Sequence, residues 1–188
     1  MGVSFIIAPW NYPYLTSVNS IIPSLAAGNS VILKHSAQTP LCAEQLYDSA
    51  KKTLPKGIFN YLHLNHKDSL KIVSDKRIGF VSFTGSVNAG YEVQKATTNK
   101  FISIALELGG KDPAYVRHDA DVEKTVENLV DGSFFNSGQS CCAIERIYVD
   151  KKIYNEFIEI FISLTSNYKL GNPLDNSTNL GPVVKLSS

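Results

Sequence analysis

The sequence predicts an α/β fold: a parallel sheet with flanking helices over the first 108 residues, followed by the start of a second α/β unit. Two observations carry this. Short β-branched runs alternate with helical patterns up to residue 108, and the alternation restarts after Gly109-Gly110. Strands that alternate with helices imply parallel pairing through right-handed crossovers.

The runs, in order, are "SFIIA" (4–8), "SVILK" (30–34), "IFNYLHL" (58–64), "GFVSF" (79–83) and "FISIALEL" (101–108). Each is near strand length and apolar on both faces, as buried parallel strands are. Between them, residues 40–53 and 86–96 have helix-like composition, and "LPKG" at 54–57 is a stop signal. In the second part "PAYV" (113–116) and "RIYV" (146–149) read as strands. A helix starts near Asp121 with Val122, Val126, Leu129 and Val130 on one face. A further helix over 151–168 aligns Ile153, Phe157, Ile160, Phe161, Leu164 and Tyr168, and Gly171 and Pro173 mark its end. There is no internal repeat and no low-complexity tract.

Composition narrows the function classes. With 188 residues and 44% hydrophobic side chains, the chain fills a real core. Eighteen basic residues balance 17 acidic ones, and no basic stripe tracks a phosphate backbone, so nucleic acid is not expected as a partner. The apolar start is interrupted by Pro9, Asn11 and Pro13 and lacks a basic lead, so it reads neither as a signal peptide nor as a membrane anchor. Of three cysteines, two are the adjacent Cys141 and Cys142, which form neither a disulfide framework nor a metal site. A reducing, cytoplasmic setting is expected. His35, His63, His66 and His118 sit in no ligand spacing and read as structural or solvent-facing; no metal is expected.

Four local patterns bear chemistry. In "FFNSGQSCCAIER" (134–146) a cysteine follows a Gly-Gln turn just beyond a helix, a setting where backbone donors favour thiolate; a buried pair of small hydrophobes is the alternative. "LELGGKDP" (106–113) puts Glu107 at the end of an apolar strand, where partial desolvation would suit a general base, although a strand-end Glu can simply face water. "APWNYP" (8–13) holds Asn11 between prolines, an amide fit to donate to an oxyanion or an ordinary turn residue. "FTGS" (83–86) runs from a strand into a helix start that can face a phosphate, with Ser86 a helix cap in either case. Lys34 ends the second strand, and a solvated lysine is the alternative there.

The order and joint occurrence of "PWNYP", "LAAGNSVILK", "QTP", "FTGS", "LELGGK", "FFNSGQSC" and "GNPLDNSTNLGP" resembles the NAD(P)-dependent aldehyde dehydrogenase superfamily over essentially the whole chain. The resemblance implies a Rossmann-like NAD(P)-binding domain over 1–108 and the first part of the catalytic cysteine domain over 109–188. It implies oxidation of a small-molecule aldehyde to a carboxylic acid. Cys141 would be the nucleophile that passes through a thiohemiacetal and a thioester, with Asn11 as oxyanion donor and Glu107 as the base that activates water. Cys142 would be a bystander. For NAD or NADP, it implies Lys34 at the adenosine ribose, Gly85 and Ser86 at the pyrophosphate, and Trp10, Gly90 and Leu108 around the nucleotide.

Three positions depart from the family pattern. Ala37 replaces a ribose-gripping glutamate, which leaves NAD and NADP both open; "HLNHKD" (63–68) replaces a glycine-rich turn; and Ser20 replaces a lysine proposed as a proton relay. Family members are also much longer and form homo-oligomers, so this chain is expected to be an internal segment that lacks competence alone. A non-catalytic fold fragment and a thioester-forming hydrolase or acyltransferase are the competing readings.

Overall fold

The computed structural model describes residues 2–186 and divides into two compact units, Met1–Leu108 and Gly109–Ser188. The first unit contains β1 (Val3–Ala8), α1 (Pro13–Ala26), β2 (Ser30–His35), α2 (Pro40–Ala50), β3 (Phe59–Tyr61), α3 (His66–Ser74), β4 (Ile78–Thr84), α4 (Val87–Ala96) and β5 (Ser103–Glu107). Its five strands are all parallel, in the order β3-β2-β1-β4-β5.

Period-2 alternation along β1 explains the layers. Phe5 and Ile7 face one side and pack with Val73, Val81, Phe83 and Val93, under α3 and α4. Ile6 and Ala8 face the other and pack with Ile21, Val31, Leu33 and Ala43, under α1 and α2. A strand covered on both faces needs the continuous apolar run that the sequence displays.

Two helices went unrecognised in the sequence. α1 carries Pro13 in its first turn, where a missing N–H costs nothing, and an exposed Pro23 inside it. α3 is capped by Asn65, whose side chain accepts from the Asp68 N–H at 2.8 Å, so the "HLNHKD" stretch that replaces the glycine-rich turn leads into a helix. Strands β3 and β5 are shorter than the runs at 58–64 and 101–108, because pairing, and not apolarity, ends them.

The second unit contains β6 (Asp112–Val116), α5 (Val122–Phe134), a short 3₁₀ turn (Phe135–Gly138), β7 (Ile144–Val149) and α6 (Tyr154–Thr165). β6 and β7 pair in parallel, with Tyr115 opposite Tyr148 and both rings exposed. The apolar faces read from periodicity meet in one core: Val122, Val126 and Val130 of α5 against Phe157, Phe161 and Leu164 of α6.

Leu33 is fully buried in the α1/α2 layer. Leu33→Ala is expected to destabilise the chain by about 2–5 kcal/mol, read as a lowered urea midpoint at unchanged slope.

Candidate active site

Parallel pairing brings the carboxyl ends of β1, β2, β4 and β5 to one edge of the first unit. The order reverses between β1 and β4, and such a switch point opens the crevice in which α/β sheets bind ligands. Trp10 and Asn11, both half-buried, leave this edge on the loop from β1 to α1.

Lys34, near the end of β2, is 5% exposed, which overturns the solvated alternative. Burial lowers its pKa, and among the described residues no carboxylate lies within ion-pair distance of it. Its side chain helps to line a cavity of about 370 Å³ together with Ile7, Phe83, Ser86, Ala89 and Val93. His66 and Glu92 also stand on the wall. His66 is exposed, in keeping with its reading as structural or solvent-facing, and its place just after the Asn65 cap puts it on the rim of the cavity as well.

The cavity joins Lys34 and Ser86, while Trp10 is not on that wall. Ser86 caps α4 by accepting from the Ala89 N–H at 3.3 Å, so the helix begins at the cavity with the positive end of its dipole. Gly85 donates its N–H to the Glu107 carbonyl at 2.9 Å and ties the ends of β4 and β5 together. Gly90 is buried where a Cβ would stand 2.8 Å from Leu108 Cδ2, so a larger residue there would push the end of the Leu108 side chain aside. Ser20, at the family's lysine position, shares a 2.9 Å hydrogen bond with Ser82 of β4.

On the opposite face of β2, His35 is 2% exposed and links three elements. Its Nε2 is 3.0 Å from the Pro13 carbonyl, which only accepts, so Nε2 carries the proton. Nδ1 then accepts from the Thr39 hydroxyl at 3.0 Å. Burial pushes the imidazole pKa down, against the raising effect of its hydrogen bonds to Pro13 and Ser36. A neutral histidine therefore pins the start of α1, and with it one end of the loop that carries Asn11.

Glu107 ends the edge strand β5 and is exposed. It lies on the uncovered face of β5 with Ser103 and Ala105, while Ile104 and Leu106 pack against the core, so here it faces water, as the strand-end alternative has it.

In the second unit the cysteine loop follows α5. Asn136, Ser137 and Gly138 take left-handed backbone in succession, with φ of 52°, 59° and 72°. The loop is tied down by its neighbours. Ser137 Oγ donates to the Gly181 carbonyl at 2.7 Å, and the Val184 N–H donates to Gln139 Oε1 at 2.7 Å. The Gly110 N–H donates to the Cys141 carbonyl at 2.8 Å. A Cβ on Gly110 would stand 2.7 Å from that carbonyl oxygen, so the second glycine of "LELGGK" is what admits the cysteine backbone. Cys141 and Cys142 are exposed and free, which overturns the buried alternative. Partial desolvation, and next the Cys142 thiol, push the Cys141 pKa up, although backbone donors act in the lowering direction.

The aldehyde dehydrogenase family model matches residues 1–188, and the chain belongs to that family. It is 40% identical over 184 residues to an aldehyde dehydrogenase of Paenarthrobacter nicotinovorans, a match covering 97% of this chain and 40% of that one. It is 36% identical over 189 residues to the D-glyceraldehyde dehydrogenase (NADP(+)) of Picrophilus torridus, covering 100% of this chain and 38% of the relative. The solved 3,6-anhydro-L-galactose dehydrogenase in complex with NAP superposes with a TM-score of 0.93 at 34% identity, over 99% of this chain and 39% of that one. The chain thus spans about two fifths of the length of these relatives.

Because the Cys141 thiol is shifted upward, its thiolate is scarce at neutral pH. Iodoacetamide labelling of Cys141 is expected to be slow near neutrality and to keep rising above the pH at which a free cysteine levels off. A plateau below the ordinary thiol range, measured by peptide mass spectrometry, would contradict this.

Proposed function

We propose that this chain is the nucleotide-holding and cysteine-bearing segment of an enzyme that oxidises an aldehyde to a carboxylic acid with NAD or NADP. The observation that carries the reading is Lys34, a buried ammonium with no carboxylate partner among the described residues, on the wall of a cavity shared with Ser86 and the start of α4. A dinucleotide suits that wall: an ammonium and the positive end of α4 for ribose oxygens and phosphate, and the apolar Ile7, Phe83 and Val93 for a base.

In this reading residues 1–108 form the NAD(P)-binding domain and residues 109–188 the first part of the cysteine domain. Lys34, Gly85 and Ser86 would hold the cofactor, with Trp10, Gly90 and Leu108 around it. When bound, the nicotinamide supplies the hydride acceptor by which an aldehyde adduct is oxidised. The Cys141 thiolate attacks the aldehyde carbon, and the Asn11 amide donates to the oxygen that becomes negative. Glu107 takes a proton from the water that attacks the resulting thioester, which releases the acid and restores the thiol. Two relatives whose names carry NADP(+) or NAP, and Ala37 in place of a carboxylate that would repel a 2′-phosphate, support NADP as a usable cofactor.

Binding of NADP and NAD to the purified chain tests the nucleotide half. Lys34→Met is expected to weaken NADP binding about tenfold, ~1.4 kcal/mol by calorimetry, without loss of the folded circular dichroism signal. Unchanged affinity, or no NADP binding by the parent chain, would remove the basis of the reading.

The base is tested in a full-length enzyme containing this segment. Glu107→Gln should slow thioester hydrolysis about 100-fold while leaving the burst of NAD(P)H largely intact, in single-turnover kinetics. Normal hydrolysis with impaired hydride transfer would assign the base to another group.

A further inference from the structure

The cavity beside α3 and α4 provides for more negative charge than a single pyrophosphate brings. Two helices start on its wall. α4 begins after Ser86, whose side chain accepts from the Ala89 N–H, and α3 begins with His66, directly after the Asn65 cap. Each start presents the positive end of a helix dipole. The same cavity takes in Lys34, which is buried and has no carboxylate within ion-pair distance among the described residues.

The charges around these groups leave Lys34 without a counterion of its own. Asp68, in the first turn of α3, is engaged by Asn65 Nδ2 at 2.8 Å and by Lys71 Nζ at 2.7 Å. Glu92 stands on the cavity wall but is exposed, in the second turn of α4, where water and salt screen it. Lys67, next to His66, is exposed and adds positive charge at the start of α3.

An ammonium withdrawn from water needs an anion or a full set of acceptors. A ribose diol is neutral and leaves the charge uncompensated, whereas a phosphate monoester compensates it directly. NAD carries its phosphates as one pyrophosphate, for which the start of α4 provides. NADP carries a further phosphate on the adenosine ribose, apart from the pyrophosphate.

We propose that the counterion of Lys34 is this 2′-phosphate, that His66 holds it from the start of α3, and that the chain therefore takes NADP in preference to NAD. His66 keeps at least one ring N–H in every protonation state, so it has a donor for a phosphate oxygen throughout the neutral range. It is a specificity residue and takes no part in the reaction at the aldehyde. The proposal rests on reading the cavity as a nucleotide site.

The test measures binding of NADP, NAD, 2′-AMP and 5′-AMP to the purified chain by calorimetry. NADP is expected to bind about tenfold or more tightly than NAD, and 2′-AMP more tightly than 5′-AMP. His66→Ala should weaken NADP roughly fivefold and leave NAD within about twofold, while His66→Gln, which keeps an N–H donor, should restore most of the loss. Because His66 is exposed, the core is untouched, and an unchanged circular dichroism signal checks this. Lys34→Met should narrow the ratio of NADP to NAD affinity. Equal affinities for NADP and NAD in the parent chain, or an effect of His66→Ala that is the same on both cofactors, would overturn the proposal and leave the nucleotide site standing. Binding of neither cofactor would remove the nucleotide site itself, and this proposal with it.

Discussion

The parallel pairing of β1 with both β2 and β4 is the constraint on which the first unit depends. Parallel strands end at the same edge, so four segments distant in sequence deliver their next residues to one place. Residues 10–11, 34–35, 85–86 and 107–108 are those residues. A strand buried on both faces tolerates no polar side chain without a partner, which confines the chemistry to positions where the strands give out. Ser4 shows the cost of an exception: its hydroxyl is buried in β1 and makes no hydrogen bond among the described residues.

Two consecutive residues at the end of β2 show how period 2 divides labour. Lys34 turns to the α3/α4 side and its cavity, while His35 turns to the α1/α2 side and ties Pro13 to Thr39. One side chain is a buried charge that faces a space; the other is a neutral, fully engaged connector. The polypeptide thereby places a recognition group and the brace for the neighbouring loop back to back, within one strand register.

Much of this was legible in the sequence, for physical reasons. Buried parallel strands must be continuously apolar, and the faces of α5 and α6 must repeat near 3.6, so Phe5, Leu33, Val126 and Phe157 declare themselves. Ser86 was readable as a cap because a capping serine at a strand-to-helix junction is a local event. α1 was hidden by its two prolines, which are breakers by composition but harmless at a first turn and on a solvent face. The burial of Lys34, the engagement of His35 and the place of His66 on the cavity wall depend on partners brought in by the fold, and no local pattern encodes those. For Glu107 the sequence left two settings open, desolvated or water-facing, because an apolar run does not tell which face of an edge strand is covered; here its face is open. The "GG" of "LELGGK" also split into unlike halves: nothing crowds Gly109, while Gly110 is fixed by the Cys141 carbonyl.

The two ties from the cysteine loop to the end of the second unit bear on the order in which the molecule is made. Ser137 reaches 44 residues ahead to Gly181, and Gln139 reaches 45 ahead to Val184. β6, α5, β7 and α6 are all complete before either partner leaves the ribosome. During synthesis the left-handed stretch therefore gains these two ties last, while the cysteine turn after it can already pair with Gly110 and Asp112, which precede it in the chain.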